Sequence, residues 1–161
     1  MIENYFQKSY PEIKNNIKNL IIFKPKNKEE LQNAVNLWCE IKNEALIKYG
    51  HISLWDTSLI NDMSRLFHAK SDFNDNINNW NVSNVTNMNS MFYFCKKFNQ
   101  PLNKWNVSNV IYMHSMFNLA KSFNQNINVW NVSNVKSMDY MFNECSFFNK
   151  PLDKWIVSKV K

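Results

Sequence analysis

Tryptophan returns every twenty-five residues, at Trp55, Trp80, Trp105, Trp130 and Trp155, without a slip of register. Few features restrict a fold more, because self-similarity at a fixed period of this length is the signature of a stacked-repeat architecture. Other columns keep the same register. Ile52, Ile77, Leu102, Ile127 and Leu152 stand three residues before the Trp, and Met63, Met88, Met113 and Met138 stand eight after it. Leu66-Phe67, Met91-Phe92, Met116-Phe117 and Met141-Phe142 follow, then Phe73-Asn74, Phe98-Asn99, Phe123-Asn124 and Phe148-Asn149. A unit this small cannot bury its own apolar face, so neighbouring units must stack to close a continuous core.

Within a unit, Leu-x-x-Trp-x-Val (Leu102 to Val107) places Trp105 and Val107 on one face of a short strand. Val110, Met113, Met116-Phe117 and Ala120 then follow at the three- and four-residue spacing of a helical face. The expected fold is therefore α/β: a leucine-rich-repeat-like right-handed solenoid, with one short parallel strand and one short helix per 25-residue repeat. Four full repeats and a partial fifth are expected over 51–161. Trp55, Trp80, Trp105, Trp130, Trp155, Phe92, Phe117, Phe142, Met88, Met113 and Met138 should form its internal ladders.

Residues 1–50 stand outside the period and read as an N-terminal capping region. Asn27 and Glu30 form a capping box, and Leu31, Ala34, Val35, Trp38, Ile41, Ala45 and Tyr49 mark one face of a helix over 27–49. Gly50 then takes the helix C-terminus, where a positive φ is wanted. Upstream, 12–19 suggests a short helix and Leu20–Phe23 a strand.

Gly50 is the only glycine in 161 residues, where average usage of ~7% would supply about eleven. Glycine-rich phosphate loops are thereby excluded. Asparagine occurs 29 times, with Asn81, Asn106 and Asn131 after the Trp and Asn84, Asn109 and Asn134 three residues further on. Asn tolerates left-handed backbone and bonds its own turn, so it is expected to turn the corners that glycine turns elsewhere, and to form amide ladders.

The block Trp-Asn-Val-Ser-Asn-Val…Met-x-x-Met-Phe…Phe-Asn-Gln-Pro-Leu resembles the BspA-like leucine-rich-repeat surface proteins. It is most similar to the 25-residue variety found in wall-less bacteria, protists and giant viruses. The stretch from Ala45 to Asp56 resembles the lead-in of the protist and giant-virus members, and the Asn-, Lys- and Ile-rich usage points the same way. The resemblance implies surface adhesion and protein binding. Ala69 stands one place earlier than Cys95, Ala120 and Cys145, so the first repeat is expected to turn differently.

No catalytic, cofactor-binding or metal-binding set is expected. His51, His68 and His114 fall in unrelated columns, and general acid–base work needs groups that converge in a cleft. Cys95 and Cys145 share a column two repeats apart, about 10 Å at strand spacing, beyond the ~7 Å Cα limit for a disulfide. They read as packing residues, as does Cys39 at the cap. The N-x-S/T triplets at Asn81, Asn84, Asn106 and Asn131 recur with the repeat and read as turn chemistry.

The net charge of +6 comes from 19 basic and 13 acidic residues spread without a block, so no specific nucleic-acid site is indicated. Neither a signal peptide nor an eighteen-residue apolar run is readable, so a cytoplasmic or virion-associated location is expected over classical secretion.

Binding in a repeat array is carried by columns that vary while the core columns hold. Three such strips emerge: Asn79/Lys104/Val129/Lys154; Thr86/Ile111/Lys136 with Asn87/Tyr112/Ser137; and Tyr93/Asn118/Asn143 with Phe94/Leu119/Glu144. Tyr93, Phe94, Lys104, Tyr112, Val129 and Lys154 are the candidate partner-binding residues, the aromatics as anchors. The expected function is a non-enzymatic scaffold for a protein or glycan partner. The alternative is a virion or surface-assembly component that self-associates through its ends or flanks, although nothing in the sequence indicates a homo-oligomer.

Overall fold

A computed structural model describes residues 22–161. The helix suggested over 12–19 lies outside these residues, as do Leu20 and Ile21, and Ile22–Phe23 form no strand.

The α/β expectation is overturned. Among the described residues the helices are α1 (Lys28–Glu40) and α2 (Lys42–Tyr49), followed by one 3₁₀ turn at Ile52–Leu54. Among the described residues no repeat contains an α-helix, and there is no strand or sheet. What remains of parallel pairing is the isolated bridges Asp62↔Asn87, Asn87↔Tyr112 and Tyr112↔Ser137.

The repeat is instead a chain of tight turns. In the central unit the bonds Trp105 N→Leu102 O, Val110→Val107, Met116→Met113, Asn118→Ser115, Ala120→Phe117 and Phe123→Ala120 close six three-residue steps. Nearly every step begins and ends on an apolar residue. That spacing mimics the 3.6 period of a helix, but two backbone positions per unit prevent one. Arg65, Ser90, Ser115 and Tyr140 have φ between 54 and 61°, and Ala69, Phe94, Leu119 and Glu144 between 54 and 62°. Each is the third residue of a turn, where positive φ defines type II and glycine is the usual occupant. A side chain there costs ~1–2 kcal/mol, so the surrounding bonds must hold it.

Asparagine is therefore not the left-handed residue, since none of the positive-φ positions among the described residues is Asn. Its side chain bonds instead. The Oδ1 atoms of Asn81, Asn106 and Asn131 accept from the Ser N–H two residues on, at 3.0–3.2 Å. Asn84, Asn109 and Asn134 donate Nδ2 to the carbonyls of Ser58, Ser83 and Ser108 one repeat back, each at 2.8 Å. The main-chain N–H groups of Asn99, Asn124 and Asn149 donate to the Oδ1 of Asn74, Asn99 and Asn124 at 2.9–3.0 Å. An amide carries a donor and an acceptor, so one residue type serves both directions of the stack.

The first repeat does not turn differently. Ala69 (φ 62°) occupies the same left-handed position as Phe94, Leu119 and Glu144. Because Ala69 is exposed, it isolates the cost of that backbone state. Ala69→Val is expected to destabilise by about 1–2 kcal/mol, while Ala69→Gly is neutral to stabilising by up to about 1 kcal/mol. Chemical denaturation of the two variants checks this; equal stabilities would show that the position carries no strain.

The core is columnar. Trp55 stacks on Trp80 at 6.1 Å, and Trp130 lies 6.4 Å from both Trp105 and Trp155. Phe67, Phe92, Phe117 and Phe142 stack at 5.4–5.8 Å, and Phe73, Phe98, Phe123 and Phe148 at 5.7–6.0 Å. Met88 and Met113 are fully buried, while Met138 and Phe142 are half-buried at the C-terminal end. Each indole N–H is satisfied across the stack: Trp80, Trp105, Trp130 and Trp155 donate to the carbonyls of Ile52, Ile77, Leu102 and Ile127 at 2.8–3.1 Å.

At the N-terminal end the first tryptophan meets the cap. The single helix expected over 27–49 is two, broken at Ile41 (φ −136°, ψ 72°). Asn27 Oδ1 caps α1 by accepting from Glu30 N–H at 2.9 Å. Leu31, Ala34, Val35 and Trp38 of α1 and Ala45 of α2 are buried. Gly50 ends α2 with φ 69°. Trp38 packs edge-on against Trp55 at 5.9 Å, and Phe23 and Tyr49 close the remaining sides of Trp55 at 5.3 and 6.0 Å.

Candidate interaction surface

The exposed surface is set by which columns the turns push outward. Lys104, Val129 and Lys154, each preceding a Trp, are exposed, and Val129 is 60% accessible. Val129 and Lys154 share a shallow groove of about 590 Å³ with Asn128, Asn131, Ser133 and Ile156. Lys104 lies in the same column with its Nζ on Asn79 Oδ1 at 2.9 Å. Beneath them runs a second ladder: Asn78 donates Nδ2 to Asn103 Oδ1, and Asn128 to Asp153 Oδ1, both at 2.8 Å.

Tyr93, Phe94 and Tyr112 do not line this groove. Tyr112 is exposed at a bridge position between Asn87 and Ser137. Tyr93 is half-buried, its ring stacked on His68 at 4.7 Å. Phe94 is half-buried at a left-handed position with Lys96 Nζ 4.2 Å above its ring. The six candidates thus fall on separate parts of the surface.

Residues absent from that set carry the larger apolar exposure. Ile156 is 64% accessible, Tyr140 66% and Phe147 67%, all in the last units. Each breaks its column: Ile156 replaces the Asn of Asn81, Asn106 and Asn131, Tyr140 follows Arg65, Ser90 and Ser115, and Phe147 follows Asp72, Lys97 and Ser122. That substitution pattern was the available signal.

A cleft of about 400 Å³ lies where the cap meets the first repeat, lined by Trp38, Cys39, Glu40, Lys42, Lys70 and Asp75 among others. Its charges are paired. Asp75 accepts from Trp38 Nε1 and Lys42 Nζ, both at 2.8 Å, and Lys70 bonds Glu40 at 3.0 Å. Lys24 joins Asp56 at 2.8 Å, and this bond holds the Asp56 carboxyl down at about 2.

Cys39, Cys95 and Cys145 are free thiols. Burial pushes Cys39 up to about 11 and Cys145 up to about 12, and Cys95 higher still, so each is a protonated packing group. Cys95 and Cys145 donate Sγ–H to the carbonyls of Phe67 and Ala120, at 2.9 and 3.1 Å. Burial, then Arg65, lowers the His68 pKa. Among the described residues no cluster of three or more His, Cys, Asp or Glu is placed to hold a metal ion, and no helix is long and apolar enough to cross a membrane.

Stacked 25-residue turns, buried aromatic columns and an exposed set of varying columns define a tandem-repeat protein. The chain belongs to the family described as Mycoplasma protein of unknown function, DUF285, which matches residues 32–155. That supports a surface-repeat family related to the one the motif resembles, at this coarser level. No curated protein and no solved structure matches the chain.

Proposed function

We propose that the protein is a non-enzymatic scaffold that holds a protein or glycan partner on the outer face of its stacked repeats, in the manner of the 25-residue BspA-like surface proteins. The observation that carries this reading is the division of each unit. The apolar columns that repeat are buried and the repeating Asn columns bond within the stack, whereas the column before each Trp varies as Asn79, Lys104, Val129 and Lys154 and is exposed throughout. An exposed Val129 and Ile156 form an apolar centre bordered by the polar Asn128, Asn131, Ser133 and Lys154, the composition of a contact patch. A surface or virion setting fits such a scaffold.

Size-exclusion chromatography with light scattering is expected to give a monomer. Surface-lysine crosslinking in the native setting is expected to trap one distinct partner, and Val129→Asp to abolish the crosslink while leaving the melting curve unchanged. Concentration-dependent oligomers would favour the self-assembling alternative, and a crosslink indifferent to Val129→Asp would move the contact elsewhere.

A further inference from the structure

A second groove, of about 510 Å³, runs along the side of the stack and shares no residue with the one at Val129. Two columns two residues apart line it. One is Asn84, Asn109 and Asn134, which Lys159 continues, and the other is Thr86, Ile111 and Lys136. Both columns are fixed to the backbone. Ile111 N–H donates to Thr86 O and Lys136 N–H to Ile111 O, each at 2.8 Å, and Thr86 N–H donates to Asn61 O at 2.9 Å. Asn84, Asn109 and Asn134 are tethered by Nδ2 to serine carbonyls one repeat back, each at 2.8 Å. The tether holds each amide by its NH₂ and leaves Oδ1 as the acceptor. Asn134 Oδ1 takes Lys159 Nζ at 2.7 Å, while those of Asn84 and Asn109 take no hydrogen bond among the described residues. Bridged parallel backbones stand ~4.8 Å apart, so the stack presents a row of amide oxygens at that interval.

The groove is also cationic. No carboxylate lines it. Lys136 and Lys159 are exposed, and neither is in an ion pair among the described residues. Asp56 and Asp62 of the first repeat are already held by Lys24 and Lys28. Acceptors for hydroxyl donors thus lie beside two lysines open to an anion.

We propose that this groove binds a linear acidic polysaccharide laid along the stack. Its hydroxyl groups donate to the amide oxygens of Asn84 and Asn109, one sugar to a repeat, and its carboxylate or sulfate groups meet Lys136 and Lys159. Half-buried Ile111 supplies an apolar contact for a sugar-ring face. Spacing selects against an acidic peptide. Groups on one face of an extended peptide recur every ~6.7 Å, out of step with acceptors ~4.8 Å apart, whereas one ring of an extended glycan spans close to one repeat. Nor is an edge open to a peptide strand, because the main chain of Thr86 and Ile111 is already bonded between repeats.

The test titrates the 161-residue chain into a labelled β-linked hexasaccharide carrying a uronate on every second sugar, with a sulfated counterpart as the second arm. Saturable binding that weakens with salt is expected in fluorescence anisotropy for at least one arm, and the arm that binds names the acid. Lys136→Gln and Lys159→Gln should each weaken binding about fivefold, and Thr86→Lys should tighten it by a similar factor. Lys121→Gln removes the same charge from an exposed site outside the groove and should leave binding unchanged. Three results overturn the proposal: no saturable binding in either arm, Lys121→Gln weakening binding as much as Lys136→Gln, or a glutamate peptide of equal charge binding as tightly. Because Val129 lies outside this groove, the two proposals fail separately.

Discussion

Replacing Trp105 with Ala is expected to destabilise the protein by about 3–5 kcal/mol in chemical denaturation, the cost of a large truncation in a packed core. Trp105 is buried, with Trp130 stacked 6.4 Å away and Phe92 at 6.2 Å. Most of the loss is the cavity rather than the indole bond. The carbonyl of Ile77 that accepts Trp105 Nε1 also accepts Trp80 N–H at 3.0 Å, so it keeps a partner. Position along the stack sets the size of the effect. Trp155→Ala should cost only ~1–2 kcal/mol, because that ring is partly exposed and has a tryptophan on one side alone. Equal costs at Trp105 and Trp155 would mean that the stack is not held together by its columns.

Removing Trp38 is expected to cost about as much, ~3–5 kcal/mol, but to act at the end of the stack. The ring is buried against Trp55, its Nε1 holds Asp75 Oδ2 at 2.8 Å, and Lys42 Nζ lies 4.8 Å over its face. Trp38→Ala strips the cap of its packing and half of its hold on Asp75. Trp38→Phe keeps most of the packing and loses the bond, for about 1–3 kcal/mol. Hydrogen exchange should show α1 and α2 opening before the repeats in Trp38→Ala, since an array couples mainly through nearest neighbours. Should the Ala and Phe variants prove equally stable, the Asp75 bond and not the packing would be what fastens the cap.

The columns were legible in the sequence because burial is imposed identically on every unit. A residue that must be apolar in one repeat must be apolar in the next, and Trp, Met and Phe kept that register. Asn74, Asn99 and Asn124 recur for the same reason, each bonding its equivalent one repeat away. The exposed column at Lys104, Val129 and Lys154 could be read by contrast. Tyr93 and Phe94 could not be placed, because their half-burial depends on His68 and Lys96, neighbours that the period does not specify.

The sequence by itself determined the period, the identity of the buried columns, and Asn27 and Gly50 as the ends of the helical cap. Only the tertiary structure decided the conformation of each unit. Apolar residues three apart suit a helical face and a chain of three-residue turns equally, so spacing could not choose between them. The choice rests on Ser90, Phe94, Ser115 and Leu119, held left-handed although none is glycine. Their side chains favour no such state. It is imposed by N–H groups that find acceptors twenty-four residues further on, as Ser90 does at His114 and Phe94 at Asn118. Bonds of that range exist only once the stack has formed.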